Sequence, residues 1–167
     1  MAFPVPVPLP ELTLQRQVHL GYRFGVFFFV GGVVPNRLDI RFKKVQGLKA
    51  TVNTTTIDEG GQNLYTQRVP TGIEYGNLVL ERGMVVGSPL GLEFNAAMSS
   101  FSFAPSNVLV TLFDVLGATG VPVPVSAWLF LKAYPVSWAT ADLDATSKDV
   151  VVDTLELAYT RMQVMRI

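Results

Sequence analysis

A stretch of 38 residues with a single charge constrains this chain more than any other feature. From Phe94 to Leu131 the only charged side chain is Asp114. A domain of 167 residues cannot bury so many consecutive residues completely, so part of this segment must reach the surface. Large exposed apolar patches in soluble proteins mark interfaces with other proteins. The sequence therefore predicts a chain whose surface is partly covered by partners.

The distribution of charge supports assembly and argues against two other classes of protein. Charged residues make up 16% of the chain, and thirteen Lys+Arg balance thirteen Asp+Glu. This balance excludes a nucleic-acid binder driven by net charge and an acidic disordered chain. Residues 1–83 carry nine basic and six acidic side chains, a net of +3, whereas residues 84–167 carry four and seven, a net of −3. Halves of opposite charge allow head-to-tail contacts, which close into rings or continue as filaments.

Neither a targeting segment nor a spanning helix is expected. The first residues contain no basic side chain, and four prolines interrupt any apolar segment that a signal peptide would need. The most apolar run, residues 24–34, is eleven residues long, which is too short to span a bilayer as a helix. We therefore expect no membrane insertion by this chain.

One domain over residues 1–167 is predicted, with residues 1–17 as an extended proline-rich arm. Residues 1–12 alternate proline with apolar residues, a pattern that favours polyproline conformation over a place in a packed sheet. A disordered terminus explains the same pattern equally well.

Short apolar or alternating segments between Gly and Pro turns indicate a mainly β fold. Strands are expected at residues 22–30, 38–45, 49–58, 64–69, 78–82, 108–115, 126–138 and 150–167. Residues 70–72 are expected to connect two of these strands as a turn, Pro135 to mark an edge position or a bend, and Gly47 a bulge or kink. The predicted fold is two packed antiparallel sheets, a sandwich or barrel, with one flanking α-helix.

The one predicted helix begins at Ser88-Pro89 and ends at about Ser100. Serine is a favoured N-cap residue, and proline suits the first helical position. The apolar residues that follow indicate a mostly apolar helix.

The side chains that carry most enzyme chemistry are scarce. The chain has no Cys and one His, His19, so disulfides, thiolate catalysis and thiolate or multi-histidine metal sites are excluded. Two carboxylate pairs, Asp58-Glu59 and Asp142/Asp144, lie in polar loops where solvated charge is the simpler interpretation. The glycine-rich stretches match neither a P-loop nor a dinucleotide fingerprint. We expect no enzyme activity, no cofactor and no metal.

Several segments spread over about residues 20–160 are recognisable together by their order and spacing. These segments are Tyr22-Arg23-Phe24 with Val26, Phe42 with Val45 and Gly47-Leu48, Glu59-Gly60-Gly61-Gln62-Asn63, Pro70, Asn77-Leu78 with Leu80 and Arg82-Gly83, Trp128, Ala133 with Pro135-Val136 and Trp138, Asp142-Leu143-Asp144-Ala145, and Thr154 to Tyr159. In this order and spacing they resemble the tail tube protein family of contractile phage tails and contractile injection systems.

The resemblance implies a tail-tube-like fold and a structural function. It implies hexameric rings that stack into a hollow inner tube within a contractile sheath. The partners would be further copies of the chain, a sheath protein, and baseplate or tube-initiator proteins. DNA or effector proteins would pass through the lumen without sequence-specific binding. Assembly would occur in the bacterial cytoplasm, and the product would be part of a phage virion or an extracellular contractile particle.

The architecture implied by the resemblance sets a lumen size and suggests site residues. If six subunits each supply about four strands, the barrel circumference is about 150 Å and the lumen about 35–40 Å wide. Polar strand residues suit a wet pore wall, so Thr51, Asn53 and Thr55 are predicted to face the lumen. The predicted contacts between subunits involve Glu59, Gly60, Gly61, Asn63, Arg68 and Arg82.

Two alternatives stay open at this point. The loop at residues 59–63 either reaches a neighbouring subunit or merely turns the chain, with Gly60-Gly61 supplying positive φ angles. The chain as a whole is either a tube subunit or a small β-barrel that binds an apolar ligand. The oligomeric state distinguishes the last two hypotheses.

Overall fold

The structure is a computed structural model that describes residues 21–29, 41–57, 60–61, 64–85, 87–115, 121–146 and 149–166. Its elements, in chain order, are β1 (Phe24–Phe29), β2 (Lys44–Gln46), β3 (Ala50–Ile57), β4 (Gln67–Tyr75), β5 (Leu78–Gly83), α1 (Pro89–Ser100), β6 (Ser106–Val115), β7 (Pro122–Thr140), β8 (Val152–Ala158) and β9 (Arg161–Arg166).

Seven strands form one antiparallel sheet that the long strand β7 divides into two halves. The strand order is β1-β6-β7-β8-β5-β2, and β9 also pairs with β7. The first part of β7 pairs with β6 and β9, and the part from Tyr134 onwards pairs with β8. Lys132 lies between the two parts with φ at 54°, a left-handed conformation that interrupts the extended strand. At Pro135, where the sequence predicts an edge position or a bend, the register of the β7–β8 pair shifts between Pro135 and Ser137.

Both halves of the sheet and the helix bury side chains in a single core. Val26, Val108 and Phe130 come from one half, and Leu80 and Leu157 from the other. Helix α1 adds Leu90 and Phe94, and Phe94 meets Trp138 edge to face at 5.6 Å between ring centroids. Burial of large apolar side chains contributes about 1.5–3 kcal/mol for each. The prediction of two β layers with one flanking helix is confirmed.

The helix begins where the sequence predicts. Ser88 is the N-cap residue in extended conformation, and its Oγ accepts a hydrogen bond from the Gly91 N–H at 3.2 Å. Pro89 occupies the first helical turn, where its missing N–H costs nothing. The helix ends at Ser100, and Phe101 caps it with a left-handed φ of 51°.

Three strand predictions are wrong in detail. Of the strand expected at residues 38–45, residues 38–40 lie outside the described residues, and the described strand covers Lys44–Gln46 alone. Residues 70–72 do not form a turn: β4 runs through them to Tyr75, because the outer side of an edge strand tolerates proline. The final segment is two strands, β8 and β9, separated by a short connection at residues 159–160.

Gly47 confirms the kink that the sequence predicts between β2 and β3. Its φ is +90°, and a Cβ atom on this residue would overlap the backbone carbonyl of Asn77. Only glycine combines this backbone angle with so close an approach of two chain segments.

Candidate assembly interface

Strands β3 and β4 form a separate two-stranded sheet, here called the hairpin, that is exposed on both faces. Its strands pair only with each other among the described residues. Every residue of β3 is exposed, and so is every residue of β4 before Tyr75. An isolated two-stranded hairpin is marginally stable in water, so an exposed one of this length indicates a surface that a partner covers.

The strand register separates the hairpin into two chemically different faces. Residues opposite each other in an antiparallel pair lie on the same face. The apolar face carries Ala50 opposite Tyr75 and Val52 opposite Ile73. Val52 and Ile73 are 56% and 59% exposed, so the apolar face presents large aliphatic side chains to solvent.

The other face, here called the polar face, carries the three residues predicted to line a lumen. Thr51 lies opposite Glu74, and the Asn53 side-chain amide donates to Glu74 Oε2 at 3.2 Å. Thr55 follows on the same face, which becomes apolar towards the tip at Ile57 and Val69. The structure therefore brings Thr51, Asn53 and Thr55 together on one exposed surface.

A β-bulge divides the hairpin at its middle. The register shifts between Asn53 and Thr54, because Thr71 is an extra residue on β4. The Thr71 hydroxyl donates to the carbonyl oxygen of Asn53 at 3.1 Å, which holds the bulge. Bulges increase the local twist of a strand pair, so the tip and the base of the hairpin point in different directions. Arg68 lies beyond the bulge and donates to Thr54 Oγ1 at 3.1 Å.

The base of the hairpin is anchored to the sheet by tyrosines. The Tyr75 and Tyr159 ring centroids are 5.7 Å apart, and Tyr159 contacts Phe130 at 4.7 Å. The Tyr159 hydroxyl is buried and has no hydrogen-bond partner among the described residues. Burial, with a smaller contribution from Tyr75, raises the pKa of Tyr159 above its ordinary value of 10.0. This contact turns the apolar face towards the body of the protomer at its base.

The residues predicted to contact a neighbouring subunit lie in two different environments. Gly60 and Gly61 are exposed at the tip of the hairpin, and Gly61 has a φ of +101°. Glu59 and Asn63 lie outside the described residues, as do His19 and the arm. Arg68 is exposed on the hairpin.

Arg82 lies in the interior of the protomer. It is 6% exposed, and its guanidinium donates to Ser88 Oγ at 2.9 Å. It stands opposite Asp153, which is also 6% exposed, in the β5–β8 pair. Of the two arginines predicted at an interface, Arg68 is therefore the one available on the protomer surface.

A second exposed apolar surface lies at the C-terminal end of α1. Its residues were not among those predicted to contact a neighbouring subunit. Phe101, which caps the helix, is 85% exposed. Phe101 packs edge to face on Phe103 at 5.4 Å, and Phe103 lies 6.4 Å from Tyr134. Part of the segment Phe94–Leu131, whose only charge is Asp114, thus reaches the surface, as its length requires. The lack of charge predicts that part of this segment is exposed, but it does not identify the individual side chains.

The described residues offer no obvious metal site. No group of three or more His, Asp or Glu side chains converges within the part of the chain that the structure describes. The described portion also has no helix whose length and apolar character would allow it to cross a membrane.

The fold and the hairpin together define a class of protein: a β-sandwich subunit with a projecting, amphipathic hairpin that suits it to repeated assembly. The sequence comparison identifies the family. The chain belongs to the T4-like virus tail tube protein (gp19) family, whose profile matches residues 21–163. The resemblance found in the sequence is confirmed, and the family is one of structural tube proteins.

Solved structures of contractile systems share this fold. A chain in the six-fold symmetrised baseplate of the anti-feeding prophage is 34% identical, with a TM-score of 0.79 over 89% of this chain and 96% of that one. A chain in the extended sheath–tube complex of an extracellular contractile injection system, PVC, is 20% identical, with a TM-score of 0.74 over 92% and 95% of the two chains. A chain in the anti-feeding prophage cap, also 20% identical, has a TM-score of 0.70 over 100% and 97%. Comparison with curated proteins gave no match.

Proposed function

We propose that this chain is a structural subunit of a hollow inner tube, in which hexameric rings stack inside a contractile sheath. The lumen conducts DNA or effector proteins, and the chain has no catalytic role. The tube belongs to a phage tail or an extracellular contractile particle that is assembled in the bacterial cytoplasm. Its further partners are the sheath protein and the baseplate or tube-initiator proteins.

The hairpin is the observation that carries this proposal. Two strands of eight and nine residues pair with nothing else in the described protomer and bury neither face. In a ring, the free edges of the hairpin pair with strands of neighbouring subunits, so that each subunit supplies about four strands in all, and this satisfies the edges that otherwise promote aggregation. A closed barrel of this kind removes every edge.

The chemistry of the two faces assigns a direction to each. The polar face, with Thr51, Asn53 and Thr55, lines the lumen, because a conducting pore has to remain hydrated. The apolar face, with Val52 and Ile73, packs against neighbouring protein, where burial of aliphatic surface is favourable. The tip with Gly60 and Gly61, together with Glu59, Asn63 and Arg68, contacts the next subunit.

We place this ring at the baseplate end of the tube. The relative of 34% identity lies in a baseplate structure with six-fold symmetry, and the sheath–tube chain is 20% identical.

Negative-stain electron microscopy of the purified chain over a range of concentrations tests the proposal. We expect six-fold rings with central stain, singly or in short stacks. Long uniform tubes would support the tube but contradict the baseplate position. A monomer at every concentration would contradict self-assembly and favour the β-barrel that binds an apolar ligand, which mass spectrometry of bound small molecules would then test.

A further inference from the structure

An apolar cleft, here called the helix cleft, opens between α1 and the sheet and is not used by the hairpin. Its volume is about 350 Å³, at the lower end of the range typical of binding pockets. Its apolar lining includes Phe28, Leu90, Phe94, Ala97, Ala133 and Pro135. The cleft has room for a few apolar side chains and not for a folded element.

The rim of the helix cleft supplies hydroxyl groups. Ser102 and Ser106 line it together with Glu93 and the aromatic side chains Phe28 and Phe94, whereas the hydroxyl of Ser100, also in the lining, donates to the Ala96 carbonyl oxygen at 2.7 Å. Grooves that bind polyproline segments combine aromatic surfaces with hydrogen-bond donors. Donors are needed because proline has no N–H, so a proline-rich segment presents mainly carbonyl acceptors.

Residues 3–10 of this chain have the complementary chemistry. Their sequence, FPVPVPLP, alternates proline with Phe3, Val5, Val7 and Leu9. This composition favours the extended polyproline conformation, which loses little conformational entropy on docking. It contains no charged residue, in agreement with the mostly apolar lining of the cleft.

The arm starts within reach of the helix cleft. The described chain begins with a turn at Gly21 and Tyr22, immediately before β1. Phe28, which lines the cleft, lies seven residues beyond Gly21, a distance of up to about 23 Å at 3.3 Å per residue. The ten residues 11–20 extend over up to about 33 Å, which spans that distance with length to spare.

We propose that residues 3–10 dock in the helix cleft of their own chain, with apolar side chains inside and serine hydroxyls donating to the arm's carbonyl oxygens. The docked arm covers apolar surface on the side of the helix that the core leaves open. This contact lies within one protomer, so it is independent of whether the copies assemble into rings.

The absence of cysteine makes a disulfide test specific. Val5→Cys with Ser102→Cys places one thiol on the arm and one on the rim of the cleft, and both replacements are close in size to the original residues. The control pairs Val5→Cys with Thr146→Cys, on an exposed loop whose residues line a different cleft. A disulfide forms only when the two Cα atoms come within about 7 Å.

Docking predicts that the Val5→Cys, Ser102→Cys variant (the cleft pair) forms its disulfide at least about tenfold faster than the Val5→Cys, Thr146→Cys variant (the control pair). The product is an intrachain disulfide, which non-reducing gels distinguish from disulfides between chains. Adding Phe3→Ser to the cleft pair is expected to bring its rate towards that of the control. Ser106→Cys provides a second rim position if the Ser102 variant does not fold. Equal rates for cleft and control pairs at either rim position would overturn the proposal, and so would disulfides formed only between chains.

Discussion

Replacing the two aliphatic residues of the apolar face tests how the hairpin contributes to assembly. The double variant Val52→Thr, Ile73→Thr keeps β-branched side chains on both strands, so the hairpin itself retains its conformation. Val52 and Ile73 are 56% and 59% exposed in the protomer, which leaves more than half of each side chain to be covered by a neighbour. Full burial of such a side chain contributes about 1.5–3 kcal/mol, so the two replacements together weaken each contact by about 2 kcal/mol.

A weakening of about 2 kcal/mol raises the protein concentration needed for assembly by about 25-fold. Sedimentation velocity over a dilution series, with electron microscopy of the same samples, measures that concentration. The free energy of unfolding of the protomer is expected to change by less than about 0.5 kcal/mol, because both sites are exposed. The matched control, Thr51→Ser with Thr55→Ser, alters the polar face of the same hairpin and is expected to assemble normally. Unchanged assembly of the Val52/Ile73 variant would refute the assignment of the apolar face to a subunit contact.

Three further predictions concern stability and are measured by denaturant unfolding of the protomer. Gly47→Ala is expected to lower the free energy of unfolding by at least about 2 kcal/mol, because a Cβ at this positive φ would also overlap the Asn77 carbonyl. The control Gly72→Ala, which has open space around it, is expected to change the free energy of unfolding little. Ser88→Ala removes the N-cap of α1 and is expected to cost about 1–2 kcal/mol; an unchanged free energy of unfolding would contradict the capping role. Tyr159→Phe is expected to retain stability, because the buried hydroxyl has no partner among the described residues. A raised pKa means that the folded state holds the phenol proton more tightly, so stability is complete below pH 10.0 and falls as the pH rises beyond it. Tyr159→Phe should abolish that alkaline loss and the control Tyr134→Phe should keep it; an identical alkaline loss in both variants would contradict the assignment.

The sequence predicts the elements that depend on local chemistry. Ser88 and Pro89 define the start of α1, because a hydroxyl acceptor followed by a residue without an N–H suits the first turn of a helix. The Thr-rich segment forms the exposed strand β3, because it has too little apolar surface to enter a core. The family, too, is recognisable from segments spread along the chain, and its profile match over residues 21–163 confirms it.

The positions that depend on distant partners could not be predicted in the same way. Arg82 lies two residues after Leu80, on the core face of β5. A charged side chain is accommodated there because β8 places Asp153 opposite it and Ser88 accepts a hydrogen bond from its guanidinium. Strand β4 continues through Pro70 and Gly72 because β3 lies beside it and pairs with both residues, leaving Thr71 as the bulge. Local propensity indicates a turn at those residues, and only the paired strand overrides it.

The sequence by itself thus determined a charge-poor, mainly β chain with one capped helix, and it predicted a surface that partners partly cover. Tertiary structure decided where those surfaces lie. It divided β7 at Lys132 between two halves of a sheet, projected the hairpin away from the core, and left the helix cleft open. The reason is that capping, turns and alternation act over a few residues, whereas strand pairing and burial join residues that are far apart in the chain.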